Sequence, residues 1–180
     1  MSSLLYIASD HPLPEVHNPH EKNLSVNEAL AMGIDVPEYL LAPGIDRDWK
    51  HAIYWSDRQI HFDLDHGTVE DGGYDDDFSI LPLPLEQSTE DIYTAKKYQS
   101  IIECIWTEDR ANAVIQYLLT HLEVTGEVEL WHIYMGSGER PKILHYEARI
   151  EEFTPEDLIE IANLPVYEKE LIHHCVTITK

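Results

Sequence analysis

The sequence has few cysteines and no long apolar run. Its two cysteines, Cys104 and Cys175, are too few for a disulfide framework or a four-cysteine zinc site. No stretch of about 18 apolar residues occurs, so no membrane-spanning helix is predicted. Residues 1–10 lack a basic region followed by an apolar core, which argues against a signal peptide. These absences predict a cytoplasmic protein that does not associate with a membrane.

Positive charge is also scarce. The chain has 12 Lys and Arg against 34 Asp and Glu, a formal net charge of −22. No Lys or Arg occurs between Arg58 and Lys96, where the acids are Asp63, Asp65, Glu70, Asp71, Asp75, Asp76, Asp77, Glu86, Glu90 and Asp91. A field of this sign repels phosphate, so direct binding to nucleic acid or to an anionic membrane is disfavoured. It favours a basic protein partner or a metal ion, and the alternative is that it serves solubility alone.

The apolar residues that are present suffice for a buried core. They make up 43% of the chain, which excludes global disorder. Four strand-like runs and two helical patterns occupy the second half, at residues 98–106, 107–126, 128–135, 144–151, 154–164 and 171–179. Their order matches the β-α-β-β-α-β unit of ferredoxin-like folds. We therefore predict an α+β protein with an antiparallel sheet and its helices on one face, the ferredoxin-like unit covering residues 96–180.

The two helices of this half have clear start and stop signals. Thr107 is a good N-cap for the first helix, and Gly126 ends it. Its apolar residues follow the helical i, i+3, i+4, i+7 spacing: Ala111, Val114, Ile115, Leu118, Leu119 and Leu122. Thr154, followed by Pro155 and two acids, begins the second helix.

Residues 1–95 are predicted to be an N-terminal α/β extension that forms one compact domain with the second half. Ser25 and Glu28 fit the capping box of a short helix. Residues 51–55 and 59–64 are predicted to pair as a hairpin, followed by an acidic loop. Because a ferredoxin-like unit leaves one sheet face uncovered, these residues must cover that face, extend the sheet or fold alongside.

The main candidate for chemistry is the segment His-Phe-Asp-Leu-Asp-His at residues 61–66. On a strand, His61, Asp63 and Asp65 project from one face, because side chains alternate. Together with His66 they have the ligand types of a divalent-metal site, the one cofactor considered. The alternative is a solvated polar face with the two apolar residues packed inward. The Gly-x-Ser-x-Gly motif of a serine nucleophile does not occur. The sequence leaves open whether the protein is an enzyme.

The last predicted strand contains two adjacent histidines, His173 and His174. They face opposite sides of the strand. His174 shares its face with Val176 and Ile178, so it is predicted to be a buried core histidine.

The opening Tyr-Ile-Ala-Ser at residues 6–9, with Pro-Leu-Pro at 12–14, resembles the start of a family of uncharacterised bacterial proteins. The resemblance implies a bacterial cytoplasmic origin and supplies no activity or functional residue. The leading hypothesis is a non-enzymatic interaction module that binds a basic partner, of an immunity-like or regulatory kind. The alternative is a metal-binding protein or metal-dependent enzyme centred on residues 61–65. The sequence does not predict the oligomeric state.

Overall fold

The chain divides into two units, and the division differs from the predicted boundary at residue 95. A computed structural model describes residues 2–58, 60–63, 68–71, 74–83, 93–135, 141–164 and 171–180. The larger unit comprises Met1–His17 with Phe78–Lys180, and the smaller unit comprises Asn18–Asp77. Two strands from the first 95 residues belong to the sheet of the second half, so the boundary between the units does not fall at residue 95. The predicted α+β class is confirmed.

The described residues contain ten strands, three α-helices and one short 3-10 helix. The strands are β1 (Ser2–Ser9), β2 (Glu21–Leu24), β3 (Ile53–Ser56), β4 (Ile60–Asp63), β5 (Thr68–Asp71), β6 (Phe78–Pro82), β7 (Tyr98–Cys104), β8 (Glu127–Met135), β9 (Lys142–Arg149) and β10 (Ile172–Thr179). The α-helices are α1 (Val26–Ala31), α2 (Glu108–Thr125) and α3 (Pro155–Ala162), and Glu38–Leu41 forms the 3-10 helix.

The sheet of the larger unit has the strand order β6-β7-β1-β8-β10-β9. Its neighbours are antiparallel except for β9 and β10, which run parallel and are joined through α3. The predicted antiparallel sheet is therefore wrong: the sheet is mixed, because a helical crossover joins two parallel strands. The predicted order of elements along the chain is observed. However, β1 lies between β7 and β8, so the ferredoxin-like unit is not confirmed.

The two long helices form where their caps predicted. The Thr107 side chain accepts a hydrogen bond from the Arg110 amide, and α2 ends at Gly126, which adopts a left-handed φ of 71°. In α3, Thr154 and Asp157 form a capping box, with Pro155 as the first helical residue. No helix in the described part of the chain has the length and apolar character needed to cross a membrane.

Both helices cover the same face of the sheet, as predicted. Their buried side chains join one apolar cluster with alternate residues of the strands, including Leu5, Ile7, Val114, Leu118, Leu122, Val128, Leu130, Leu158, Val176 and Ile178. We estimate that each such fully buried aliphatic side chain stabilises the fold by about 1.5–3 kcal/mol. This cluster is the main core of the larger unit.

The opposite face of the sheet is also buried at its centre. Trp131 is only 1% exposed, and its indole N–H donates a hydrogen bond to Glu129 at 2.8 Å. The Thr94 hydroxyl donates to the same carboxylate, and the Lys96 ammonium pairs with Glu127 at 2.8 Å. Residues before 96 therefore both extend the sheet, through β1 and β6, and contact its second face.

The smaller unit contains two separate strand pairs. β2 pairs with β3, and β4 pairs with β5, each antiparallel. The predicted hairpin between residues 51–55 and 59–64 is therefore wrong. A two-residue hairpin turn needs positive φ, and no described non-glycine residue has one. The capping box of α1 is confirmed, with Ser25 and Glu28 bonded reciprocally.

Candidate functional site

The predicted metal residues fall on β4 and just beyond it. His61 and Asp63 belong to β4, which is paired with β5. Asp65 and His66 lie outside the described residues. In the described part of the chain, no group of three or more His, Cys, Asp or Glu is arranged to hold a metal ion. The metal site at residues 61–66 stays a prediction.

A histidine–carboxylate cluster that no motif predicted lies in the smaller unit. His20 Nε2 is 2.8 Å from Asp76 Oδ1, and His20 Nδ1 is 3.0 Å from Asp57 Oδ1. The Tyr74 ring stacks on the imidazole, with centroids 3.9 Å apart and planes 10° apart. We call these four residues the His20 clasp. Because the carboxylates bind opposite ring nitrogens, one metal ion could not take all three groups as ligands.

The carboxylates of the clasp change the protonation of His20. The hydrogen bond to Asp76, reinforced by the one to Asp57, raises the pKa of His20 above its usual value of 6.5. The same hydrogen bond from His20 lowers the pKa of Asp76. The clasp therefore favours an imidazolium held between two carboxylates.

Asp77, the last residue of the unit, is completely buried. It accepts a hydrogen bond from Asn18 Nδ2 at 2.6 Å. Arg58 Nε lies 3.3 Å from Asp77 Oδ2, close enough for an ion pair although not aligned as a hydrogen bond, and Arg58 Nη2 donates to Glu21 at 2.8 Å. Several acids of the smaller unit are thus paired with cations or amides of the same unit and serve its structure.

In the larger unit, a cleft lies between the strands β9 and β10 and the helix α3. Its volume of about 440 Å³ is within the range of roughly 300–1,000 Å³ typical of small-ligand sites. Its apolar lining residues are Tyr146, Ala148, Phe153, Ile161, Leu164 and Val176. The main contacts of α3 are with α2 and β1. We infer that the cleft exists because α3 packs over the centre of the sheet and leaves β9 uncovered.

The rim of this cleft is acidic. Its charged lining residues are Glu147, Glu152, Asp157, Glu160 and Arg149. Asp157 also caps α3, accepting a hydrogen bond from the Thr154 amide at 2.8 Å. Arg149 Nη2 lies 3.9 Å from Glu151. Within the described residues, none of the three glutamates of the rim has a cation at salt-bridge distance. The rim therefore has more acidic than basic side chains among the described residues, and its glutamates are not paired with a described cation.

One histidine, His174, lines the strand side of the cleft, and a second, His132, lies beside it. The rings of His174 and Tyr146 are nearly parallel, 4° apart, with centroids 5.9 Å apart. The His132 ring lies 6.1 Å from that of His174. Burial lowers the pKa of His174 and lowers that of His132 to about 4, so both imidazoles are uncharged at pH 7. The predicted core position of His174 is corrected: it is partly exposed in the cleft, whereas His173 is buried.

Two described nucleophilic side chains, those of Cys175 and Ser9, are buried and poorly placed for catalysis. Burial raises the pKa of the Cys175 thiol to about 12, so it stays protonated. The Ser9 hydroxyl lies 3.3 Å from His121 Nε2, a pair that sequence reasoning missed. Ser9 is completely buried at the end of β1, so this hydroxyl is inaccessible to a substrate. The pair is a structural hydrogen bond.

Comparisons of the chain with protein-family models, curated proteins and solved structures found no match. Function is therefore inferred from the side chains themselves. The cleft combines an apolar floor, an acidic rim and a partly exposed aromatic ring, and we take it as the candidate site of the larger unit.

Proposed function

We propose that this protein is a non-enzymatic interaction module that binds a basic segment of a partner protein in the cleft between β9 and α3. The observation that carries the proposal is the acidic rim around an apolar floor, whose three glutamates have no described cation at salt-bridge distance. Lys and Arg match both features, because each has an apolar stem and a charged end. A bacterial, cytoplasmic origin is part of the same proposal.

The position of β9 supports a peptide as the ligand. Within the described residues β9 pairs only with β10, so its outer edge has no strand partner. An extended peptide binds such an edge through main-chain hydrogen bonds and places alternate side chains in adjacent pockets. The cleft lies beside this edge, on the helix-covered face of the sheet.

The overall charge supports the same partner. A net charge of −22 attracts a basic segment over a distance, and salt weakens the attraction because the Debye length shortens. Binding should therefore be strong at low ionic strength and weak at high ionic strength.

The test uses a labelled strand-forming peptide, Lys-Val repeated three times, and its uncharged Gln-Val analogue. We expect fluorescence anisotropy to show binding of the basic peptide only, at least about tenfold weaker in about 300 mM than in about 20 mM salt. The variant Glu152→Gln/Glu160→Gln should bind about threefold to tenfold more weakly, since each exposed ion pair contributes about 0.2–1 kcal/mol.

The matched control removes two exposed acids of the smaller unit, Asp35→Asn/Glu38→Gln. It should bind nearly as well as the unmodified protein. Equal losses in the two double variants would mean that only the total charge matters and that the cleft is not the site. Absence of binding by the basic peptide at low salt would end the proposal.

A second candidate function is divalent-metal binding by His61, Asp63, Asp65 and His66. It is favoured by the strand conformation of residues 60–63, the condition under which residues two apart share a face. We expect zinc, manganese or calcium to raise the midpoint of thermal unfolding by several degrees, and chelator to reverse the shift. His61→Ala and Asp63→Ala should abolish it. A flat response to all three ions would remove this candidate.

A further inference from the structure

Tyr146 presents an aromatic ring to the cleft in a defined orientation. The residue is 47% exposed, and its ring lies nearly parallel to that of His174 on the neighbouring strand. The register of the parallel strands β9 and β10 fixes this contact, because Tyr146 is opposite Val176 and His174 is opposite Leu144. The two rings are therefore diagonal neighbours in an offset stack. A ring that is held in place and partly open to solvent is a stacking surface for a planar group.

The surroundings of the ring favour a cation. His174 is uncharged at pH 7 because burial lowers its pKa, so it does not repel a positive group near Tyr146. The face of an aromatic ring has negative potential and attracts cations. The glutamates at positions 152 and 160 are further acceptors at the same cleft.

Arginine and lysine use such a site differently. A guanidinium is planar, so it stacks on a ring while its N–H groups donate in its own plane to carboxylates. An ammonium is a compact, strongly hydrated charge and gains less from stacking. We infer that the cleft between β9 and α3 selects arginine over lysine in its partner, with Tyr146 as the surface on which the guanidinium stacks. This inference rests on the proposed function.

The test compares two peptides of equal charge, Arg-Val and Lys-Val, each repeated three times, at low salt. We expect the arginine peptide to bind the unmodified protein about fivefold to tenfold more tightly, as one partly exposed cation–π contact predicts. In Tyr146→Leu the ratio of the two affinities should fall to about one, while the lysine peptide loses less than about twofold. Tyr146→Phe keeps the aromatic face and should keep the ratio.

The matched control is Tyr39→Leu, a tyrosine of the smaller unit that is 72% exposed, and it should leave the ratio unchanged. If circular dichroism shows that Tyr146→Leu is unfolded, a titration of the unmodified protein replaces it. There, ethylguanidinium should shift the Tyr146 ring protons in NMR spectra more than ethylammonium does.

The outcomes separate the two proposals. Equal affinities for the two peptides, or an arginine preference that survives Tyr146→Leu, would overturn the inference and leave the proposed function standing. Equal ring-proton shifts with the two small cations would overturn it as well. If neither peptide binds, the proposed function itself fails.

Discussion

The histidines of the two units have opposite environments. His20 lies between Asp57 and Asp76 in the smaller unit, and those carboxylates raise its pKa. His132 lies near the cleft of the larger unit, where burial lowers its pKa to about 4 and no described residue bonds its ring nitrogens. The acids also differ between the units. Those around His20 and Arg58 have partners within the smaller unit, whereas none of the rim glutamates has a described cation at salt-bridge distance. A high acid content therefore does not by itself mark a binding surface, because part of it is used in pairs within the fold.

The largest expected effect comes from removing Arg58. The Arg58→Met variant leaves the buried carboxylate of Asp77 with one cation fewer, so we expect the free energy of unfolding to fall by about 3–5 kcal/mol. Urea titration, together with amide hydrogen exchange in β2 and β3, measures the loss. Arg149→Met at the exposed rim of the cleft is the matched control and should cost under about 0.5 kcal/mol. Similar losses in the two variants would remove the distinction between the units.

The next effect is the acid sensitivity of the larger unit. Because the folded-state pKa of His132 is lowered, the unfolded chain takes up the proton first, and stability falls from pH 6.5 down to about pH 4. Over this pH range we expect the free energy of unfolding of His132→Phe to fall by about 2 kcal/mol less than that of the unmodified protein, a figure that allows for partial solvent screening. Urea titrations at a series of pH values measure the difference. Parallel pH profiles for the two proteins would contradict this account of His132.

The smallest expected effect is the pH dependence of stability that arises from the His20 clasp. Here stability falls as pH rises, the opposite of the trend for His132. Because the folded-state pKa of His20 is raised, its stabilisation is complete below pH 6.5 and is lost as pH rises through the folded-state value. The lowered pKa of Asp76 makes its contribution complete above pH 3.8 and lost on further acidification. We expect His20→Gln to abolish the decline in stability of the smaller unit above pH 6.5. Amide hydrogen exchange in β2 and β3 measures this stability. His51→Gln, an exposed histidine of the same unit, should keep the decline.

The local structure was predictable where the signal is contained in a few neighbouring residues. The apolar stripe of α2 gave the buried face, with Ala111, Val114 and Leu118 fully buried. The caps at Thr107, Gly126 and Thr154 gave the helix ends. Such features depend on the 3.6-residue period and on backbone groups within one turn, so no knowledge of the rest of the fold is needed.

The strand order and the candidate site were not predictable in the same way. Alternation in a strand shows which residues face the core, but it does not select the neighbouring strand. The His20 clasp joins residues 37 and 56 positions apart, without a spacing that marks them. The cleft depends on where α3 packs across the sheet. The acids of that helix were visible in the sequence, but their position beside the exposed ring of Tyr146 was not.

The central position of β1 has a consequence for the synthesis of the protein. The ribosome makes this strand well before either of its neighbours, β7 and β8. Pairing with them closes loops of about 90 and about 120 residues. Until then its apolar side chains have no sheet to join. We therefore expect the larger unit to fold late and slowly, after most of the chain has left the ribosome, with β1 as a segment that chaperones would bind in the nascent chain.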